Sequence, residues 1–319
     1  MTVLVTGANG FVGSALCESL SREAVSVRGV VRTLKSHPSC IEDIVIARVS
    51  SGTDWTFALR NVREVVHLAA RAHVMNDRCS DQLAEFRSIN VAVTANLARQ
   101  AAAAGVRRFI FVSSIKVNGE LTRVGQPFTA DDLPAPEDHY GVSKYEAEQI
   151  LWQIASETGM EVVVLRPPLV YGPGVKGNFL RLMQTIDKQL PLPFGAIRNR
   201  RSLIYLGNLV DVIRLCITHP EAAGKSYLVS DGDDVSTPEL IRRVATALGC
   251  RLFLVPVPVS WIRWVGGMLA KQAVVDRLLG SLYADIEPLR EGLGWRPPYT
   301  MQAGLEATAH WYRNTKANT

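Results

Sequence analysis

A tyrosine and a lysine stand four residues apart in Tyr140-Gly141-Val142-Ser143-Lys144. On a helix that spacing puts both side chains on one face. A free phenol, with a pKa of about 10, is a poor partner for proton transfer at neutral pH. A neighbouring ammonium favours the phenolate and draws that pKa toward neutrality. Ser114, expected at the end of a strand ahead of this helix, can hydrogen-bond a reacting oxygen. Ser114, Tyr140 and Lys144 together predict proton transfer at an oxygen. Tyr-x-x-x-Lys alone is common on helix surfaces, so the set gains weight only from its surroundings.

Those surroundings begin with Thr6-Gly7-Ala8-Asn9-Gly10-Phe11-Val12-Gly13. Three glycines at three-residue spacing lie between an apolar run and a segment of helical periodicity. Glycine permits a tight turn and a close approach of backbone to a pyrophosphate, and the helix start adds free N–H groups. This predicts a dinucleotide site on Gly7, Asn9, Gly10, Phe11, Val12 and Gly13. About 20 residues on, NAD sites place a carboxylate on the ribose 2′-hydroxyl. Here Val30-Val31-Arg32 ends in a guanidinium, with Lys35 beyond it. A guanidinium clamps a 2′-phosphate where a carboxylate repels it. NADP(H) is therefore favoured, with NAD(H) the alternative.

The elements that must carry these residues alternate. Strands are expected at 3–5, 25–31, 44–49, 64–68, 107–113 and 161–166, with a late one at 227–229. Helical patterns separate them, most clearly at 11–20, 83–104 and 140–158. Such alternation predicts an α/β fold with a Rossmann-type, doubly wound parallel sheet. After Arg166, Pro and Gly cluster and the alternation stops. The dinucleotide-binding domain is expected at 1–168 and about 202–230, and a smaller C-terminal substrate lobe at about 169–201 and 231–319. The apolar stretch 252–270 is broken by Pro256, Pro258, Arg263 and Gly266-Gly267, so it does not read as a spanning helix; a buried lobe segment is expected, with contact at a membrane surface the alternative. Trp261 and Trp264 are expected in the core of the lobe.

The net charge of +5 over 319 residues is a weak signal, and no basic run with interleaved aromatics points to nucleic acid. Five cysteines, none in a CxxC pair, read as reduced thiols in the cytoplasm. No signal peptide is expected, since Met1 leads into a strand-like run. No metal site is expected. His73 and His139 flank the cleft in sequence but have neither a carboxylate partner nor metal-like spacing, so no catalytic role is assigned to them.

The glycine turn, His67-Leu68-Ala69-Ala70, Asn90, Ser114, Tyr140-x-x-x-Lys144 and Leu165-Arg166-Pro167-Pro168-Leu169-Val170-Tyr171-Gly172-Pro173 occur in that order. The ordered set resembles the extended short-chain dehydrogenases, the NAD-dependent epimerase/dehydratase family, over nearly the whole chain. The resemblance implies a Rossmann domain with a nucleotide-sugar lobe. It implies that Leu68, Ala69, Ala70, Asn90, Tyr140, Lys144 and Pro167 also touch the cofactor, and that His67 is buried. It places Ser114, Tyr140, Asn178, Arg201 and Arg277 on a UDP-sugar, the two arginines on its diphosphate. It also implies a homodimer joined through the 83–104 and 140–158 helices, whose apolar stripes could equally face the sheet.

Three positions depart from the family pattern. Pro168 stands where many members have asparagine or threonine. Arg48 stands near where the family often has an aspartate that helps hold adenine. Ile115-Lys116 replaces the Asp-Glu pair of the dehydratase branch, so the groups for eliminating water are missing. The wording at 70–75 and 198–203 resembles the 4-ketoreductases that form UDP-N-acetyl-quinovosamine for surface polysaccharide. The expectation is therefore NADPH-dependent reduction of the C4 ketone of a UDP-linked 4-keto-6-deoxy sugar. Tyr140 would protonate the alkoxide, and Asn90 would position a water. The alternatives are a UDP-sugar 4-epimerase with tightly bound NAD, and a redox-sensing NADP-binding protein, which would have no need of all three catalytic side chains.

Overall fold

The computed structural model describes residues 2–33, 42–72, 81–269 and 272–317. Seven strands form one sheet: β1 (Thr2–Thr6), β2 (Ser26–Val31), β3 (Glu42–Val45), β4 (Glu64–His67), β5 (Arg108–Val112), β6 (Glu161–Arg166) and β9 (Lys225–Leu228). Their order is β3-β2-β1-β4-β5-β6-β9, and every neighbouring pair is parallel. Parallel strands need both faces covered, which is why Val3–Val5, Val65–Val66, Phe109–Phe111 and Val162–Leu165 are apolar without a break. One face packs on α1 (Phe11–Arg22), α7 (Leu206–Thr218) and α11 (Glu287–Leu293). The other packs on α2 (Thr56–Leu59), α4 (Val93–Ala103) and α5 (His139–Thr158). The chain reverses its direction across the sheet between β1 and β4, and this opens the crevice in which such sheets bind ligands.

A third core cluster lies among α6 (Gly177–Asp187), α8 (Thr237–Leu248) and α12 (Met301–Ala317). The short strands β7 (Leu169–Tyr171) and β8 (Leu203–Tyr205) pair beside it. Two further helices, α9 (Val259–Met268) and α10 (Gln272–Leu279), pack on each other.

The structure revises several expectations. The helical stretch at 83–104 is not uniform: α3 (Gln82–Phe86) and α4 are joined by a π-helical segment, Arg87–Ala92. The third strand ends at Val45 rather than residue 49, because its partner β2 ends at Val31. The late strand begins at Lys225. Trp261 and Trp264 are not lobe core: they are 68% and 66% exposed, since α9 turns only its opposite side to α10. The apolar stripes of α4 and α5 face the sheet.

Candidate active site

The turn after β1 is built for close contact with a ligand. Gly7 has φ +69°, in the left-handed region, and its amide donates to the Val30 carbonyl. A Cβ at Gly13 would sit 2.1 Å from the Gly7 carbonyl oxygen, so only glycine lets α1 pack on the turn. Gly10, exposed, precedes α1 without any side-chain cap, which leaves the first N–H groups of α1 to a ligand. Asn9 and Phe11 are half-buried, as is Val12, while Gly13 is buried. The Asn9 amide donates to the Thr33 carbonyl at 3.3 Å, tying the turn to the strand end that carries Arg32. Arg32 itself is exposed just past β2; Lys35 lies outside the described residues. These features fit the pyrophosphate of a dinucleotide.

Behind the turn runs a buried polar chain. Thr6 Oγ1 bonds His67 Nδ1 at 2.7 Å, and the other ring nitrogen of His67 meets Thr94 Oγ1 at 2.9 Å. The Leu68 and Ala69 amides donate to Thr6 Oγ1, which fixes the loop after β4. Burial, with Lys144 nearby, pushes the His67 pKa down to about 3, so the ring is neutral. Thr94 donates to the Asn90 carbonyl inside the π segment. A π turn displaces one residue from the regular ladder and often marks a functional position. Here it turns Asn90 inward. The Asn90 carboxamide accepts from the Arg71 amide at 2.7 Å and donates to the Arg71 carbonyl and to Ser143 Oγ, both at 3.0 Å. Its amide is thus engaged in shaping the loop after Ala70. His73 lies outside the described residues.

The three candidate catalytic residues converge where β5 ends. Ser114, 9% exposed, accepts from the Lys116 amide at 3.3 Å, which leaves its own proton available. Tyr140 and Lys144 share a face of α5, and Lys144 Nζ lies 5.9 Å from the Tyr140 ring centre. Nζ also donates to the Val112 carbonyl at 2.8 Å and sits 4.4 Å from the Phe111 ring centre. The expected lowering of the tyrosine pKa is not what this geometry produces. Burial, reinforced by the Asp138 carboxylate, pushes the Tyr140 phenol up. Burial also pushes Lys144 down to about 7 despite Glu148 one turn away. Both shifts favour the neutral form of each group, against the stabilised phenolate that the spacing alone predicts.

Two ionic groups missed in the sequence hold this corner. Arg166 pairs with Glu148 at 2.6 Å, both buried, and Glu148 accepts from Ser113 while Arg166 reaches Asn118. Asp138 caps α5 by accepting from the Gly141 amide and pairs with Lys116. Burial works to raise the Asp138 pKa, but its bonds to Lys116 and Gly141 outweigh that and keep it ionised. Lys116 also pairs with Glu120 at 2.9 Å, and Glu120 with Arg277 at 3.3 Å. The Asp three residues before Gly141 and the i,i+4 Lys-Glu pair were visible as local patterns; the link to Arg277 was not.

Arg277 leads into a cavity of about 310 Å³ lined also by Asn178, Arg201, Phe179, Leu182 and Leu240. The three expected substrate residues therefore share one wall, although Asn178 is exposed and Arg277 half-exposed. Arg201 donates to the Arg277 and Gly280 carbonyls at 3.0 and 3.3 Å. Burial opposes its charge, with Glu120 working the other way. An arginine so placed, donating to backbone carbonyls among the described residues, is a ready partner for an anion.

Residues 3–230 match the model of the NAD dependent epimerase/dehydratase family. The chain belongs to this family. A UDP-glucose 4-epimerase of Vibrio cholerae is 47% identical over 97% of the chain and 94% of that relative. The N-acetyl-alpha-D-glucosaminyl-diphospho-ditrans,octacis-undecaprenol 4-epimerase of Escherichia coli O157:H7 is 26% identical over 97% of the chain and 94% of its own length. MoeE5, solved in complex with UDP-glucuronic acid and NAD, superposes with a TM-score of 0.79 at 25% identity, covering 99% of this chain and 100% of that one. A UDP-glucose 4-epimerase from Thermotoga maritima, at 23% identity and TM-score 0.80, shares the fold over 99% of this chain and all of its own. The 47% relative carries the name of the 4-epimerase alternative and not of a 4-ketoreductase. Buried Pro167 and Pro168 and exposed Arg48 and Ala70 complete the placement of the motif residues.

Proposed function

We propose that this epimerase/dehydratase member inverts the C4 configuration of a UDP-linked sugar, with NAD in the glycine-turn site. The observation that carries the reading is the 47% identity to a UDP-glucose 4-epimerase over nearly the full length of both chains. The convergence of Ser114, Tyr140 and Lys144 supports it. NAD held at Gly7, Gly10 and Gly13 would supply a hydride acceptor and donor for the C4 carbon. Tyr140 Oη would exchange a proton with the C4 oxygen, taking the hydroxyl proton while it is the phenolate and giving it back as the phenol. Ser114 Oγ donates to that same oxygen. Lys144 supplies positive charge beside the phenol whenever it is protonated. Arg201 and Arg277 hold the diphosphate, and Asn178 stands at the mouth of their cavity. We assign 1–168 and about 202–230 to cofactor binding and about 169–201 and 231–319 to the sugar nucleotide. A homodimer through the outer sides of α4 and α5 belongs to the same reading.

Reduction of a UDP-linked 4-keto-6-deoxy sugar by NADPH, for surface polysaccharide, is the second reading. Exposed Arg32, standing where NAD sites carry a carboxylate, favours it, and so does a phenol held protonated, ready to donate. One experiment separates the two. With UDP-glucose and NAD, the epimerase yields UDP-galactose and no net change in reduced-nicotinamide absorbance. A reductase instead consumes NADPH mole for mole with the keto sugar. Failure of both reactions by a protein that binds NAD would overturn both readings.

A further inference from the structure

The bare side of α9 departs from an ordinary protein surface. Trp261, Trp264, Val265, Met268 and Leu269 are all between 46% and 69% exposed. Steps of three and one residues set them on a single stripe of the helix. The opposite side is already occupied: Gly266 is buried, and a Cβ there would meet Val275 of α10 at 2.5 Å. The stripe is therefore a second apolar face, beyond the one used for packing. Large contiguous apolar patches on a protein surface mark contact sites.

The charge around the stripe selects the partner. From Cys250 to Val275 the sequence holds Arg251, Arg263 and Lys271 and no aspartate or glutamate. Arg251 and Arg263 are exposed. Exposed tryptophans beside basic residues are the composition of helices that lie in the boundary between lipid headgroups and acyl chains. A second copy of the chain would set two such uniformly basic segments against each other, whereas an anionic surface meets them with opposite charge. We propose that α9 seats the protein on an anionic lipid bilayer, with the tryptophan stripe at the acyl boundary and the exposed Arg251 and Arg263, off the stripe, drawn toward the anionic headgroups. The contact is peripheral, since α9 has 10 residues and no described helix is long and apolar enough to cross a membrane. It adjoins the substrate cavity, because α10, on which α9 packs, carries Arg277 in that cavity's wall.

The test uses the full chain with vesicles of phosphatidylglycerol and phosphatidylcholine, read by co-sedimentation and tryptophan fluorescence at low salt. The protein is expected to sediment with them and its emission to shift to the blue. Partitioning should fall about tenfold or more on pure phosphatidylcholine, in high salt, or in the Trp261→Ala/Trp264→Ala variant. Arg263→Glu should weaken binding while leaving both tryptophans in place. Turnover in free solution and the melting temperature should be unchanged in both variants, which separates this proposal from the catalytic one. Absence of binding to mixed vesicles overturns it, as does equal binding by the double variant. A dimer that dissociates only in the double variant, without lipid binding, would assign the stripe to self-association instead.

Discussion

The two ends of the candidate site are built on opposite principles. Around β4, β5 and α5 nearly every polar group has an internal partner: His67 bonds two threonines, Asn90 spends its amide on Arg71 and Ser143, and Glu148 closes on Arg166. At the cavity of Asn178, Arg201 and Arg277, two guanidiniums share Glu120 as their nearby carboxylate, and Arg201 donates to the Arg277 and Gly280 carbonyls. The difference teaches where each kind of energy enters. The catalytic end is preorganised, so its geometry costs little at the moment of reaction. In the proposed reading the arginine end, already partly desolvated, has an anion to gain, so binding energy would concentrate there.

The sharpest way to break that comparison is Tyr140→Phe. It removes one oxygen from the preorganised end and keeps the ring against Phe86. Turnover should fall by about 10²–10⁴ while NAD affinity, set at Gly7, Gly10 and Gly13, holds. Near-normal turnover in single-turnover kinetics would remove Tyr140 from the chemistry. Arg201→Ala acts on the other end. It should raise the KM for the UDP-sugar by about tenfold to a hundredfold, the loss of roughly 1.5–3 kcal/mol for a charged hydrogen bond, with cofactor affinity unchanged. Equal losses in both affinities, by calorimetry, would make the arginine a structural residue and erase the contrast.

The smallest expected effect concerns pH. His67 titrates near 6.5 when unfolded and near 3 when folded, so the unfolded chain binds the extra proton between those values. Its contribution to stability is complete above about pH 6.5 and is lost as pH falls. At one unit below the unfolded pKa the loss is roughly 1.4 kcal/mol. Thermal melts at pH 7.5 and 5.5 should show the drop, and His67→Gln should flatten it. A slope unchanged in the variant would place the titrating group elsewhere.

How much of this was legible in the sequence follows from the range of each interaction. The strands β1, β5 and β6 could be read because unbroken apolar runs between turn signals leave few other structures. The glycine turn and the Tyr140–Lys144 pair are local spacings, and the fold keeps them together. Strands β7 and β8 have three residues each and exist only because they pair with one another across the chain. The π segment at Arg87–Ala92 leaves the apolar pattern of 83–104 almost unchanged, so periodicity could not reveal it. Apolar content placed Trp261 and Trp264 in a core, but content does not tell which side of a helix is covered. The ionic path from Asp138 through Lys116 and Glu120 to Arg277 joins residues far apart in sequence. The sign of the tyrosine shift failed for a related reason: spacing gave the charge next to the phenol, while burial, which overrides it, is a property of the fold.

The strand order also has a consequence for how the chain is made. β6 borders β9, and everything between Arg166 and Lys225 is synthesised before that border can close. At roughly 5–20 residues per second, a growing chain waits about 3–12 s with β6 as an open edge. During that time β7, α6 and β8 emerge, yet their partners α8 and α12 come only after β9. A ribosome-bound chain therefore presents an unpaired apolar strand and an unfinished lobe together, the interval in which a chaperone has most to cover.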